Sequence, residues 1–143
     1  MRFFVDSSAL VKLYFREAGT ERMRKLARDH SKRSFELLDI SKVECASAVE
    51  RLARDGKLDR SQADSILGRL HRDFRQFQVR PVTMPVVDLA VELLQKHPLK
   101  AYDAIQLAGC RETAANPPVF VCADRRLRDA AKAEGLKILD PEA

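Results

Sequence analysis

Several residue types and patterns are scarce in this sequence of 143 residues, and each scarcity excludes a class of protein. Only three cysteines occur, an odd number, and no two of them form a C-x-x-C pair. A disulfide framework or a structural zinc site is therefore not expected, and we predict buried, reduced thiols. No apolar run approaches the roughly 20 residues of a membrane span, and the apolar segment after Met1 is too short for a secretory signal. We expect a soluble, cytoplasmic protein with no membrane partner.

Motifs of several common enzyme classes are also missing. The turn DSSAL lacks the glycines and the lysine of a P-loop, and no G-x-S-x-G nucleophile elbow occurs. A haloacid-dehalogenase-like enzyme needs an Asp at the position of Ser8, and a receiver domain needs paired acids near its start, where only Asp6 is present. The three histidines lie in polar surroundings, so we predict surface residues rather than ligands or bases at His30, His71 and His97.

What the chain does contain is an ordinary globular composition with a basic balance. Hydrophobic residues make up 45% of the sequence and charged residues 33%, which fits one domain over residues 1–143. The net charge is +5. A basic surface suggests a polyanionic partner without establishing one.

Short apolar runs alternate with longer segments of helical periodicity, which predicts an α/β fold with a five-stranded parallel sheet sandwiched between helices. The predicted strands are Phe3 to Val5, Leu37 to Ile40, Val79 to Val82, Val119 to Cys122 and Lys137 to Leu139.

Cap signals delimit the helices. We expect one helix from Ser41 to near Gly56 and a long one toward Phe77, opened by a capping box of Asp59 and Gln62. Pro85 suits the first turn of the next helix. The last two helices are predicted over residues 100–112 and 124–134.

Two acids directly follow predicted strands. Asp6 ends the first strand and Asp124 follows the fourth, and in open parallel sheets ligands bind outside the carboxyl ends of the strands. If the two strands are neighbours, about 4.8 Å apart, both carboxylates can share one divalent cation. The alternative is a helix N-cap at each position, although Ser7 or Ser8 can cap the first helix without Asp6.

Two further acids lie within helices. Asp103 has mostly apolar or small neighbours in LKAYDAIQLAGC, where a carboxylate is costly unless it is paired or metal-bound; an Asp favoured by the helix dipole is an equally good interpretation. Glu44 falls off the apolar stripe of SKVECASAVE, so periodicity alone predicts a solvated side chain. Its place one turn into a helix beside the same sheet edge is the only argument for a role.

The four acids lie in the segments VDSSALVKLY, SKVECASAVERL, LKAYDAIQLA and FVCADRRLRDAAKAEGL. Together these segments resemble the PIN domain, in particular its VapC type, the toxin half of bacterial toxin–antitoxin pairs. The resemblance implies that Asp6, Glu44, Asp103 and Asp124 form a catalytic, metal-binding cluster and that Ser8 supports the first acid. It also implies a five-stranded parallel sheet, a Mg²⁺- or Mn²⁺-dependent endoribonuclease acting on RNA, a small VapB-like antitoxin and a homodimer or dimeric toxin–antitoxin assembly.

One departure from the family pattern concerns Cys122, where Ser or Thr is usual and where a thiol suits a hard cation poorly. We expect Cys122 to give weaker support to the acids or a different hydrogen-bond route, without loss of the site. We also expect it to make the activity sensitive to oxidation. Arg125 and Arg126 are candidate phosphate contacts, with a solvated helix face as the alternative. A catalytically silent RNA- or protein-binding module, or a PIN nuclease without an antitoxin, remain alternative functions.

Overall fold

A computed structural model describes residues 1–112 and 115–143 of the chain. The strands of this part are β1 (Phe3–Val5), β2 (Phe35–Leu38), β3 (Gln78–Arg80), β4 (Val119–Val121) and β5 (Ile138–Leu139). Its α-helices are α1 (Ser7–Leu10), α2 (Thr20–His30), α3 (Ile40–Arg54), α4 (Arg60–Phe74), α5 (Met84–Lys96), α6 (Ala101–Arg111) and α7 (Arg125–Ala133). Short 3₁₀ turns follow α1 at Val11–Leu13 and precede β2 at Lys32–Ser34.

The five strands form one parallel sheet in the order β3-β2-β1-β4-β5. Strands β2 and β3 lie on one side of the central strand β1, and β4 and β5 lie on its other side. The strand order therefore reverses between β1 and β4, and the crevice at such a switch point is where open α/β sheets bind ligands.

Both faces of the sheet are covered, because side chains alternate across a strand. Phe3 and Val5 pack with α1, α2, α3 and α4 in one buried cluster, whereas Phe4 packs with α5, α6 and α7 in the other. The predicted arrangement of a five-stranded parallel sheet between helices is confirmed.

Helix α6 approaches the sheet closely at Gly109. A Cβ atom added at Gly109 would lie 2.7 Å from Leu38 Cδ1, and Ala104 and Ala108 on the same helix are fully buried. These small residues let α6 lie directly on β2, so that its N-terminal turn, with Asp103, reaches the carboxyl edge of the sheet.

Two predicted boundaries near the site are wrong. Strand β2 begins two residues earlier than predicted, and helix α3 already begins at Ile40, which leaves Ser41 inside the helix and fully buried. The reason is that Asp39 has helical backbone angles and ends the pairing with β3 through its N–H bond to Arg80 O. The apolar run of the sequence includes Ile40 because this residue packs against the core, but it does so from the helix and not from the strand.

Other predicted helix signals are confirmed, with one shortened element. Gly56 follows α3 with a φ of +74°, and Asp59 and Gln62 form the capping box. The long helix ends at Phe74, three residues before the predicted end at Phe77, and Phe77 is instead buried beside β3.

The scarce residue types behave largely as expected. All three cysteines are buried, and His30 and His71 are exposed. The surface prediction is wrong for His97, whose side chain is only 14% exposed and whose Nε2 lies 2.8 Å from Glu134 Oε2. Within residues 1–112 and 115–143, no helix combines the length and the apolarity needed to cross a membrane.

Candidate active site

Asp6 lies at the end of β1, at the switch point of the sheet. It is only 3% exposed, and its N–H donates to Val121 O on β4. Its Oδ2 accepts hydrogen bonds from the N–H and the hydroxyl of Ser8, which makes Asp6 the N-cap of α1. The cap is therefore Asp6 itself and not Ser7. Within the described residues, Asp6 Oδ1 accepts no hydrogen bond.

The environment of Asp6 opposes its negative charge. Burial raises the pKa of this carboxyl from 3.8 to about 6, against the opposite effect of the two Ser8 hydrogen bonds. The negative charges of Asp103 and Glu44 are smaller contributions to the same rise in pKa. The charged side chains that act on Asp6 are thus other carboxylates, and no cation of residues 1–112 or 115–143 forms an ion pair with it.

Asp124 is exposed and begins α7. Its Oδ1 accepts from Leu127 N at 3.0 Å, so this acid also serves as an N-cap. The guanidinium of Arg128 donates to the carbonyl of Ala123 at 2.7 Å, and this contact braces the segment between β4 and Asp124. The cap fixes one carboxylate oxygen and leaves the second toward solvent.

Ser8 and Cys122 connect the ends of β1 and β4. The hydroxyl of Ser8 donates to Asp6 and accepts from Ala123 N at 3.0 Å. The Sγ of Cys122 lies 3.6 Å from Asp6 Oδ2 and 3.5 Å from Asp124 O. Burial raises the pKa of the Cys122 thiol far above its usual range, so the group is an S–H donor to Asp6 and not a thiolate.

Asp103 lies in the first turn of α6 and is half-buried. Burial is the largest of the causes that raise the pKa of its carboxyl, and the negative charges of Asp124 and Glu44 raise it as well. It forms no hydrogen bond or ion pair with the residues that the structure describes. A dipole-favoured Asp is compatible with this position, but the helix dipole does not remove the repulsion from the two neighbouring acids.

Glu44 is half-buried, so the prediction of a solvated side chain from periodicity is wrong. Its Oε1 accepts from the Ser7 hydroxyl at 2.9 Å and from Gln106 Nε2 at 2.8 Å. The same amide nitrogen lies 2.9 Å from the hydroxyl of Ser41. These contacts join α1, α3 and α6 beneath the crevice.

Sequence reasoning missed Gln106 and Ser41. A signal was present for Gln106, a polar residue within the apolar run AIQLA and three positions after Asp103, hence on the same helix face. No comparable signal marks Ser41, which the sequence assigned to a helix cap.

Two arginines and a groove flank the acids. Arg125 and Arg126 are exposed directly after Asp124, and neither forms an ion pair within the described residues. A groove of about 520 Å³ begins at Glu44 and is bordered by Val43 and Tyr102. These two side chains are 70% and 61% exposed.

The four predicted acids therefore lie in one electrostatic neighbourhood, in which Asp103 interacts with each of the other three. Within residues 1–112 and 115–143, no group of three or more His, Cys, Asp or Glu side chains is arranged to hold a metal ion. The donor chemistry nevertheless fits a hydrated hard cation, because Mg²⁺ takes carboxylate oxygens and commonly binds protein through one or two of them. The four-ligand set remains a prediction.

Comparisons with known proteins agree with this architecture. Residues 3–133 match the family model of the PIN domain. Ribonuclease VapC46 of Mycobacterium tuberculosis is 30% identical over 138 residues, which cover 96% of each chain. FitAcB from Neisseria gonorrhoeae superposes with a TM-score of 0.75 at 15% identity over 97% of both chains.

A toxin–antitoxin complex from Klebsiella pneumoniae contains a chain of the same fold. It gives a TM-score of 0.69 at 16% identity, over 99% of this chain and 98% of the other. Identities this low establish the fold alone, whereas the match over residues 3–133 and the 30% identical relative establish the family. The chain belongs to the PIN domain family.

Proposed function

We propose that this protein is a metal-dependent endoribonuclease that hydrolyses phosphodiester bonds of RNA and acts as the toxin of a toxin–antitoxin pair. The observation that carries the proposal is Asp6, a carboxylate at the sheet switch point that is 3% exposed and whose charged neighbours among the described residues are other acids. The family relationship and the full-length similarity to a ribonuclease supply the reaction class.

The residues that would hold the cation are Asp6, Glu44, Asp103 and Asp124. Mg²⁺ or Mn²⁺ at such a site neutralises the crowded carboxylates and supplies an activated water and a Lewis acid for the phosphoryl group. Ser8 and Cys122 hold Asp6 by donating to its Oδ2. The cap contact to Leu127 N likewise fixes the orientation of Asp124.

The surface charge suits a polyanionic substrate. The net charge of +5 includes the four site acids, so that without their four negative charges the remainder of the chain carries +9. Arg125 and Arg126 are free of ion pairs within the described residues and adjoin Asp124. We propose that they bind RNA phosphates, which basic groups hold largely through counterion release.

The partner proposal rests on relatives. The structural neighbours include a toxin–antitoxin complex from Klebsiella pneumoniae and VapBC from Salmonella typhimurium. We propose a small VapB-like antitoxin that covers the acidic crevice, a dimeric assembly, and action on RNA in the cytoplasm. A short open reading frame directly upstream, with a DNA-binding N-terminal half, is the expected genomic context.

An RNA cleavage assay tests the enzymatic proposal. The purified protein is incubated with total cellular RNA in Mg²⁺, Mn²⁺ or EDTA, and cleavage sites are mapped from the products. Cleavage is expected with metal and not with EDTA, and Asp6→Asn should abolish it. The matched control is Asp88→Asn, an exposed acid on α5, which should cleave like the wild type.

The outcomes of this assay separate the alternatives. Equal cleavage by the wild type and Asp6→Asn would contradict the enzymatic role of the site. Folded wild-type protein that binds RNA but never cleaves it in Mn²⁺ would favour the silent binding module.

Growth assays test the toxin role separately. Induction of the wild-type chain is expected to arrest growth of a bacterial host, induction of Asp6→Asn is not, and co-expression of the upstream reading frame should restore growth. RNA cleavage in vitro without growth arrest would favour a nuclease that works without an antitoxin.

A further inference from the structure

Gln106 occupies an unusual position for an amide side chain. It lies in the middle of α6, is fully buried, and has its Nε2 surrounded by three acceptors from other helices. These acceptors are Ser7 Oγ at 3.2 Å, Ser41 Oγ at 2.9 Å and Glu44 Oε1 at 2.8 Å. The amide has only two N–H groups to offer them.

The other end of the amide is unsatisfied. Gln106 Oε1 is buried and has no hydrogen-bond partner among the described residues. Such groups are rare in folded proteins and call for a physical reason. Here the reason is Glu44, because the reverse orientation of the amide would bring two acceptor oxygens, Gln106 Oε1 and Glu44 Oε1, into contact. The position of Glu44 Oε1 therefore fixes the direction of the amide.

The contact restrains Glu44 in return. Its Oε1 is held by Ser7 from α1 and by Gln106 from α6, while the backbone of Glu44 belongs to α3. No described residue donates a hydrogen bond to Oε2. The side chain is thus held at one oxygen and keeps the other available.

We propose that Gln106 is a positioning residue for the metal site, which acts by holding Glu44 through Oε1 and leaving Oε2 for the cation. The inference rests on the proposed function of the four acids. A residue needed only for packing would not retain a buried amide at this place, since an apolar side chain of similar size avoids the unsatisfied oxygen.

The test compares Gln106→Leu with the wild type. Leucine is similar in size and removes both the donor to Glu44 and the buried acceptor, so a folded protein with a cooperative thermal transition is expected. Affinity for Mn²⁺, measured by calorimetry without RNA, should fall about 10- to 100-fold, as for other groups that orient metal ligands. The kcat for RNA cleavage should fall by a similar factor, with KM nearly unchanged.

Gln95→Leu is the matched control. It makes the same substitution at an exposed glutamine of α5, which forms no hydrogen bond with the residues that the structure describes. Its Mn²⁺ affinity and kcat should stay within about twofold of the wild type, because Gln95 does not hold Glu44.

A double-mutant cycle isolates the route of the effect. If Gln106 acts only through Glu44, the variant Glu44→Gln with Gln106→Leu binds Mn²⁺ no more weakly than Glu44→Gln alone. Losses that multiply would overturn the inference, as would a Gln106→Leu protein that binds Mn²⁺ as tightly as the wild type.

The binding readout keeps this inference separable from the proposed function. Wild-type protein that binds Mn²⁺ through Glu44 but never cleaves RNA would overturn the ribonuclease proposal alone. Unchanged Mn²⁺ affinity in Glu44→Gln would overturn the role of Gln106 whether or not RNA is cleaved.

Discussion

Two buried carboxylates on neighbouring strands have opposite surroundings. Glu36 on β2 is 7% exposed and Asp6 at the end of β1 is 3% exposed. Glu36 accepts two hydrogen bonds from the guanidinium of Arg2, and Arg80 lies 3.4 Å from its Oε1. Within the part of the chain that the structure describes, the carboxylate of Asp6 accepts hydrogen bonds only from the hydroxyl and N–H of Ser8 and the thiol of Cys122.

A buried charge is tolerated when the fold itself supplies a counterion, as it does for Glu36 beside Arg2 and Arg80. The charged groups that shift the pKa of Asp6 are instead further acids, Asp103 and Glu44. We therefore propose that Glu36 is a structural acid, whereas Asp6 belongs to a site that a cation from outside the chain completes.

The largest effect expected from this comparison is on catalysis. Asp6→Asn should lower kcat for RNA cleavage by at least about 10²-fold, the scale on which loss of one group that stabilises transition-state charge acts. Glu36→Gln should leave kcat within about threefold, measured below its unfolding temperature, because Glu36 pairs with Arg2 away from the carboxyl edge. A comparable loss of kcat in both variants would remove the distinction between the two acids.

The second-largest effect is expected on the free energy of unfolding, which Glu36→Gln should lower. Glu36→Gln leaves Arg2 and Arg80 without their carboxylate, and breaking a buried ion pair is strongly destabilising. Because Arg2 is 45% exposed and solvent partly compensates it, we expect a loss of about 2–3 kcal/mol, or roughly 10 °C in melting temperature. Calorimetry at pH 7.5 measures it, and an unchanged melting temperature would show that the pair contributes no net stability.

How well the sequence predicts the surroundings of these acids depends on how far apart in the sequence the contacting residues lie. Asp6 and Asp124 were predictable because each directly follows an apolar strand, a purely local pattern. Glu36 and Arg2 lie 34 positions apart in the sequence, and Glu36 lies just before the predicted start of its strand. The parallel sheet was predictable because strands buried on both faces leave continuous apolar runs.

Helix-borne residues were predicted less well, for a related reason. Glu44 falls off the apolar stripe of α3, and its partial burial comes from contacts with Ser7 and Gln106 on other helices. Periodicity along one helix carries no information about such partners. The family resemblance, rather than the pattern of residues, indicated Glu44. Gln106 was missed although it is a polar residue within an apolar run, because its partners lie on other helices.

The third prediction concerns the stability of metal-free protein as a function of pH. Because the pKa of Asp6 is raised from 3.8 to about 6 in the folded state, its ionisation opposes folding as the pH rises through this window. The shift of about two pKa units corresponds to about 3 kcal/mol as an upper bound. Asn keeps an acceptor for the Ser8 N–H, so Asp6→Asn in EDTA should be more stable than the wild type at pH 7.5.

The pH series contains its own control. Below about pH 3, which lies under the ordinary pKa of 3.8, Asp6 is largely protonated in both folded and unfolded chains, so the gain from Asp6→Asn should disappear there. A stability gain that is independent of pH, or absent at pH 7.5, would contradict the assignment of Asp6 as an uncompensated buried acid.

The smallest effect is expected at Cys122. Ser at this position keeps a donor near the Oδ2 of Asp6 and the carbonyl of Asp124, so Cys122→Ser should change the free energy of unfolding by no more than about 1 kcal/mol and kcat by less than about threefold.

The oxidation sensitivity expected from the sequence is not supported by the environment of the thiol. Cys122 is fully buried and burial raises its pKa, and both conditions disfavour the reactive thiolate. Iodoacetamide should therefore leave Cys122 of the native protein unmodified and alkylate it in denaturant, as mass spectrometry of the peptide can establish. Rapid alkylation under native conditions with parallel loss of cleavage would mean that the junction of β1 and β4 opens, and that the carboxylate of Asp6 is less rigidly held than that of Glu36.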